Sequence, residues 1–230
     1  MDVVFTKKVK AKKLIEGFPG FGLIGTIVTE YLIEHLKCEK IGEFVYDELP
    51  ATVAIHKGKI VHPMGIFYSK KYDLIILHAI LDVKGMEWLI VDNIAKIIKQ
   101  TGVKEIISLE GVSSTADPKN DSLFCYNNKE FEKLGAIPIN ESVIMGVTAA
   151  LMVRNIDVSC IFAQTKSNIP DSRASAQVIE FLNKYLKLDL DVQPLLNQAE
   201  LFETKLKSIM QQTNQTMSEA DKKRQMSYFG

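Results

Sequence analysis

Leu14-Ile15-Glu16-Gly17-Phe18-Pro19-Gly20-Phe21-Gly22-Leu23-Ile24-Gly25 is the stretch on which the fold class turns. Leu14-Ile15-Glu16 reads as a strand and Gly17 to Gly22 as a glycine-rich turn. From about Leu23 to Lys37, the residues Ile24, Ile27, Val28, Tyr31, Leu32 and His35 recur on one face at helical spacing. Strand, tight turn and amphipathic helix in that order open an α/β unit. The glycines also spell G-x-G-x-x-G at Gly20, Gly22 and Gly25, and two readings follow. In a dinucleotide site such glycines let the backbone approach a pyrophosphate at the helix N-terminus, and Glu43 lies about 20 residues on, where a ribose-binding acid is wanted. In the structural reading, Gly17, Gly20, Gly22 and Gly25 let the helix pack closely on the sheet. Pro19 after Phe18 stiffens the turn, the Phe21 ring stands between two of the glycines, and the strands that follow resemble a hairpin rather than the next crossover. These features favour the structural reading and leave the other as the alternative.

Working outward, short β-branched runs alternate with longer amphipathic segments from Lys13 to about Tyr185, so the chain reads as α/β throughout. Strands are expected at Ile41 to Tyr46, Thr52 to His56 and Lys59 to His62, with Lys57-Gly58 suited to a hairpin turn that makes part of the sheet antiparallel. Tyr72 to Leu81 is apolar nearly throughout, the pattern of a strand covered on both faces. A helix follows over Gly85 to Gln100 with Gly102 as its cap, then a strand at Glu105 to Leu109 and an irregular stretch from Glu110 to Asn128. Further elements are a strand at Leu123 to Tyr126, helices at Lys129 to Leu134 and Val143 to Arg154, a strand at Val158 to Ala163, and a helix from Asp171 to Leu186 capped by Asp171 or Ser172.

Lys and Arg number 28 against 28 Asp and Glu, a zero net charge that excludes non-specific nucleic-acid binding, which draws on a basic excess. With 47% hydrophobic and 24% charged residues the chain has ordinary globular composition. It contains no run of about 18 apolar residues to span a membrane and no signal-like N-terminus, which points to the cytoplasm. Cys38, Cys125 and Cys160 are scattered, as expected of reduced thiols rather than a disulfide frame or a zinc site.

The average hides an uneven chain. Residues 1 to 13 hold five lysines and one aspartate, and beyond Asp191 the character changes. Leu195, Ala199, Phe202, Leu206 and Ile209 follow a 4, 3, 4, 3 spacing, the seam of a helix packing on another helix. The seam fades after Met210. Ser218 to Asp221 resembles a capping box for a short polar helix, and the chain ends Tyr228-Phe229-Gly230. We therefore read a globular body over residues 1–190 and a helical arm over 191–230. With aromatics at 8% of the chain, two adjacent ones at a given place occur by chance in under about one case in a hundred. An aromatic pair at the tip of a polar arm is either a stray hydrophobic end or a docking tail that inserts into a partner.

Catalytic signatures are few. There is no G-x-S-x-G elbow, and His35, His56, His62 and His78 do not stand in metal-ligand spacing, so neither a metal site nor a catalytic residue is assigned. His78 reads as a hydrogen-bonded core histidine, and His56 and His62 as residues facing each other across the hairpin. Asp82 and Glu110 fall at strand ends, where open α/β sheets place their sites, with no partner evident for either. Lys222-Lys223-Arg224 beside Glu219 and Asp221 is a solvated helix face.

Several segments together resemble the family of the second proteasome assembly chaperone and its archaeal homologues. They are Glu16 to Gly25 with the helix through Tyr31-Leu32, Asp47-Glu48-Leu49-Pro50, Glu141 to Gly146 leading into Ala149-Ala150-Leu151, and Pro170 to Leu182 followed by a long terminal helix. The match covers about residues 13 to 205. The resemblance implies a Rossmann-like, phosphorylase-type mixed sheet flanked by helices, no catalysis, no cofactor, self-association possibly as a trimer or tetramer, and binding to the proteasome core particle. It also implies a docking mode: a C-terminal hydrophobic-Tyr-any triplet whose ring fills a pocket between α-subunits of the ring and whose carboxylate pairs with a lysine. Here the triplet is Tyr228-Phe229-Gly230, with Phe in the tyrosine position, so the hydroxyl is missing while ring and carboxylate remain.

Overall fold

The short apolar runs of the sequence pair into one twisted sheet. The computed structural model describes residues 1–46, 53–56, 59–61, 63–113, 122–165, 169–193, 208 and 211. In chain order its elements are β1 (Asp2–Phe5), β2 (Lys13–Gly17), α1 (Ile24–His35), β3 (Glu39–Val45), β4 (Ala54–His56), β5 (Lys59–Val61), β6 (Met64–Ser69), β7 (Leu74–Ala79), α2 (Glu87–Thr101), β8 (Glu105–Ser113), β9 (Leu123–Tyr126), α3 (Lys129–Lys133), β10 (Ile137–Pro138), α4 (Gly146–Val153), β11 (Ser159–Thr165) and α5 (Ser172–Leu186). Nine of these strands form a sheet in the order β1-β3-β6-β7-β2-β8-β11-β9-β10.

Its centre, β7-β2-β8-β11, is parallel. Every residue of β7 is buried, because helices cover both faces of a parallel core. Alternate residues feed two cores. Leu14, Ile75, Leu77 and Ile106 face α2 and α4, while Ile15, Leu74, Ile76 and Ile107 face α1, α3 and α5. The chain leaves β2 in one direction to reach β7, then crosses back over β2 to lay down β8 on its other side. β2 and β8 thus flank the point where the winding reverses, and ligand crevices of open α/β sheets form outside such strand ends.

Around this parallel centre the sheet is more mixed than the Rossmann-like pattern. β1, β3, β6 and β7 run antiparallel to one another, as does β9 to β11. The expected hairpin is present as β4 and β5, but it forms a separate two-stranded sheet, with Ile55 opposite Ile60 and both exposed. His56 pairs with Lys59, not His62, which lies outside the described residues. β8 runs on to Ser113, so Glu110 sits inside a strand. His35 does not belong to the buried face of α1: it is exposed and stacks on Tyr31 with ring centroids 3.7 Å apart. Asp171, of the two cap candidates, caps α5 by accepting from the Ala174 N–H at 2.9 Å, and Gly102 closes α2 with φ of 76°. The cysteines are free thiols.

α5 ends at Leu186, and Leu188, Leu190 and Val192 still pack on the body, where the Tyr31 hydroxyl donates to the Asp191 carbonyl at 2.8 Å. Beyond residue 193, only Ser208 and Gln211 are described; both are helical and exposed, and neither belongs to the heptad seam. Leu195, Ala199, Phe202, Leu206, Ile209 and the terminal Tyr228-Phe229-Gly230 lie outside the described residues, as does Asp47 to Pro50.

The tightest joint of the fold is where β2 meets α1. A Cβ on Gly17 would stand 2.2 Å from the Gly25 carbonyl oxygen, and one on Gly25 would stand 2.7 Å from the Leu109 carbonyl oxygen. Backbone blocks both positions, so no rotamer change relieves them. Gly17→Ala is therefore expected to destabilise the protein by about 3 kcal/mol, the upper part of the range for overpacking a closed core, read as a lowered denaturation midpoint in urea. Wild-type stability in that variant would show that helix and strand slide apart freely.

Candidate functional site

The turn that follows β2 folds over the end of β8. Phe21–Leu23 form a single 3₁₀ turn before α1, and the Gly22 carbonyl accepts from the Asp171 N–H at 2.9 Å, which ties the turn to the start of α5. Above it opens a cleft of about 710 Å³ lined by Phe18, Pro19, Gly20, Phe21, Asp82 to Lys84, Glu87, Glu110 to Val112 and Ser142 to Val147. Asp82 and Glu110, the two strand-end acids, share this cleft. So does most of the glycine turn.

Gly20 packs directly against Glu110. A Cβ there would lie 1.9 Å from Glu110 Oε1, which also accepts from the Gly111 N–H at 3.2 Å, and the Phe21 backbone hydrogen-bonds the same carboxyl. Of these two backbone groups one, Phe21, belongs to the glycine turn and the other, Gly111, to β8, so the turn's backbone is engaged in part by one of the protein's own carboxyl groups. Glu43 does not serve as a ribose ligand either. It lies on β3, separated from β2 by β6 and β7, and is ion-paired with Lys40 at 2.5 Å. A helix that crosses to an antiparallel flank, in place of the next parallel strand, has carried it away from the turn.

Behind Glu110 lies a second acid. Glu16, on β2, is 1% exposed and pairs across the sheet with Ser108 of β8, which in turn pairs with Cys160 of β11. Ser108 Oγ lies 2.7 Å from Thr148 Oγ1 of α4, and Thr148 Oγ1 donates to Glu110 Oε2 at 3.4 Å. With the Ser108 hydrogen bond to the Glu16 carboxyl, a polar chain runs Glu16, Ser108, Thr148, Glu110 from the core to the cleft floor. Glu16 Oε1 has no hydrogen-bond partner among the described residues. Burial pushes the Glu16 carboxyl up to about 7, against the opposing hydrogen bonds from Ser108 and the Phe18 backbone. Burial, and then the neighbouring Glu16 charge, push Glu110 up to about 8. Burial also lifts the Cys160 thiol to about 12, so it stays protonated and inert. Sequence reading missed Glu16 as a site residue. The signal was an acid inside an otherwise apolar strand that leads into a glycine turn.

α1, α2 and α4 all begin at this end of the sheet, and none has a side-chain cap. Their free N–H groups and the positive ends of their dipoles favour carboxyl groups nearby, which helps the fold tolerate this cluster.

His78 is a core histidine as read. Its Nδ1 lies 2.9 Å from Thr29 Oγ1 and its Nε2 lies 3.1 Å from Glu30 Oε2. Thr29 is fully buried and its hydroxyl donates to the Gly25 carbonyl at 2.7 Å, so this Thr-His-Glu array has neither substrate access nor a free nucleophile. Among the described residues no group of His, Cys, Asp and Glu is arranged to hold a metal, and no helix is long and apolar enough to cross a membrane.

A sequence model of the PAC2 family matches residues 14–210. The chain belongs to the PAC2 family. The resemblance drawn from Glu16 to Gly25 and its companion segments pointed to this family. Among PAC2-type relatives, PbaA of Pyrococcus furiosus, an archaeal homologue of proteasome-assembly chaperone, shares 26% identity over 94% of this chain and 98% of its own, with a TM-score of 0.81. PbaB of the same organism, an archaeal proteasome activator, superposes with a TM-score of 0.72 over 90% of this chain and 97% of its own at 20% identity, a likeness of fold. An uncharacterised protein of Methanocaldococcus jannaschii is 28% identical over 91% of this chain and 90% of its own.

The raised carboxyls give stability a definite pH dependence. Each binds its proton more tightly folded than unfolded, where the ordinary value of 4.5 applies. Their contribution is therefore fully present below about 4.5 and is lost as pH rises through about 7 for Glu16 and about 8 for Glu110. Glu110→Gln keeps the shape and removes the titration. It should be more stable than wild type by on the order of 2 kcal/mol at pH 9 and nearly equal to it at pH 4.5, measured by urea denaturation at both values. Parallel pH profiles for the two proteins would refute the assignment.

Proposed function

We propose that this protein is a non-enzymatic, homo-oligomeric, cytoplasmic chaperone or ATP-independent activator that binds the proteasome core particle. The observation that carries the reading is PAC2 membership together with 26% identity to the assembly-chaperone homologue PbaA along nearly the whole of both chains. The glycine turn supports it from the other side, because the Glu110 carboxyl packs against Gly20 and engages the Phe21 backbone, which disfavours a phosphate there.

In this reading the terminal Tyr228-Phe229-Gly230 docks on the α-subunit ring, and the heptad helix with Leu195, Ala199, Phe202, Leu206 and Ile209 spaces the tail from the body and joins copies of the chain. A Phe in place of the family's tyrosine keeps ring burial and the terminal carboxylate and loses one hydrogen bond. Several tails per oligomer offset that loss by raising the effective concentration of the second and later contacts.

The test is a pull-down of core particle by the full chain with and without residues 228–230. Truncation should abolish capture, and undiminished capture would end the docking claim. Phe229→Tyr restores the hydroxyl, and should tighten binding about fivefold, the equivalent of one ordinary hydrogen bond near 1 kcal/mol, as read by surface plasmon resonance. The competing reading, a nucleotide- or nucleoside-using enzyme at Gly20 to Gly25, requires ATP, NAD or adenosine at saturation to raise the melting temperature. We expect no shift with any of them.

A further inference from the structure

The cleft over Glu110 has the character of a small-molecule site that the proteasome reading leaves unused. Its volume of about 710 Å³ lies within the range of ligand pockets, and it stands outside the carboxyl ends of β2 and β8, where the winding of the sheet reverses. Phe18, Phe21, Val83, Ile144 and Met145 supply apolar walls. The charged groups that line it are unbalanced: Asp82, Glu87 and Glu110 against Lys84. The acid on its floor is backed by a second one in the core. Glu16, 1% exposed with Oε1 unpartnered among the described residues, is joined through Ser108 and Thr148 to the Glu110 carboxyl on the cleft floor. Burial keeps two such neighbouring acids protonated, and a positive group in the cleft is what would let Glu110 ionise. An anionic ligand is disfavoured, since acids outnumber lysine in the cleft and Glu110 already engages the Phe21 backbone of the turn.

We infer that the cleft binds a primary alkylammonium, its stem against Phe18, Phe21 and Ile144 and its ammonium on the Glu110 carboxylate. This inference goes beyond the proteasome reading and stands or falls separately from it, because neither the arm nor the tail is involved. The ammonium hydrogen-bonds the ionised form of Glu110, so binding below the pH at which free Glu110 ionises expels one proton from its carboxyl to solvent. The groups around the Glu110 carboxyl are Glu16 on β2, the Gly111 and Phe21 backbone, the Thr148 hydroxyl on α4 and the thiol of Cys160 on β11, which stays uncharged; the cleft also holds Asp82, Lys84 and Glu87. Burial first, and the Glu16 charge second, hold Glu110 neutral when no cation is bound, and Lys84 opposes the ligand.

The probe is n-pentylamine titrated calorimetrically into the full-length protein, with pentanoate and pentan-1-ol as controls that keep the stem and change the head. The inference requires saturable 1:1 binding of the amine, none of pentanoate, and pentanol weaker by at least about tenfold, the worth of one charge-assisted hydrogen bond. Apparent affinity should rise about tenfold per pH unit up to near pH 8 and level off above it. Heats in phosphate and Tris at pH 6.5 should differ by the release of a proton, and the difference should vanish at pH 9. Glu110→Gln should lose at least about tenfold in affinity, and Asp82→Asn and Lys84→Gln, on the exposed rim, should weaken and strengthen binding respectively. Absence of saturation in both wild type and Lys84→Gln, equal binding of pentanol and pentylamine, or an unaffected Glu110→Gln would each overturn it. Nucleotide thermal shifts and proteasome capture leave this outcome untouched.

Discussion

Gly17 and Gly25 lie so close that a methyl group on either would penetrate backbone, and the arrangement of the strand ends follows from that contact. With the first turn of α1 seated on β2, the helix also reaches the Leu109 carbonyl of β8. The loop between Gly17 and Gly25 then has nowhere to go but over the end of β8, where a Cβ on Gly111 would stand 2.0 Å from the Phe21 carbonyl oxygen. The same loop reaches across to β11 and α5 through the Gly22 carbonyl and the Asp171 N–H. One close approach thus fixes one helix, one loop and the ends of three strands. The spacing Gly20, Gly22, Gly25 is the trace of backbone against backbone, and the likeness to a dinucleotide fingerprint arises because both need small residues where a strand turns sharply into a helix.

That close packing also explains the chemistry of the acids. Covering the ends of β2 and β8 removes water from Glu16 and Glu110, and desolvation wins over the hydrogen bonds they receive, since both carboxyls are raised despite donors from Ser108, Thr148, Phe21 and Gly111. Were the hydrogen bonds dominant, the values would lie below 4.5. The two carboxyls interact by charge, so ionising Glu16 makes Glu110 harder to ionise.

Much of this was legible in the residues. β7 and α2 declared themselves because a strand buried on both faces and a helix buried on one leave unmistakable periodicities, and Asp171 and Gly102 marked their helix ends by cap chemistry. β1 and β6 escaped notice for a physical reason. Asp2 to Phe5 has alternating half-buried and exposed residues at a sheet edge, and Met64 to Ser69 contains a glycine and two aromatics whose pairing with β3 and β7 is settled by contacts distant in sequence. Ile137–Pro138 is too short to carry any pattern. Sequence spacing put Glu43 in the ribose position, yet distance along a chain predicts position in a sheet only when the strand order is known, and here two strands intervene. Glu110 was seen as a strand-end acid without a partner. Its partner is 94 residues away in sequence, and only the parallel pairing of β2 with β8 brings them together.

The cleft and the tail divide the molecule into two kinds of information. The place of the cleft is dictated by topology: any sheet that winds away from β2 and returns on its other side opens a crevice there, whatever the chain is for. What this chain does with the crevice is written in its side chains, and the first thing it does is set Glu110 against the glycine turn and back it with Glu16. A phosphate would meet a carboxyl held by two backbone groups and a threonine hydroxyl, with Asp82 and Glu87 lining the same cleft. The fold therefore shares with nucleotide-binding sheets the crevice at the winding reversal and differs in its antiparallel flanks and in the acids that line the crevice. Fold likeness to proteins of either habit, taken without those residues, does not separate the two.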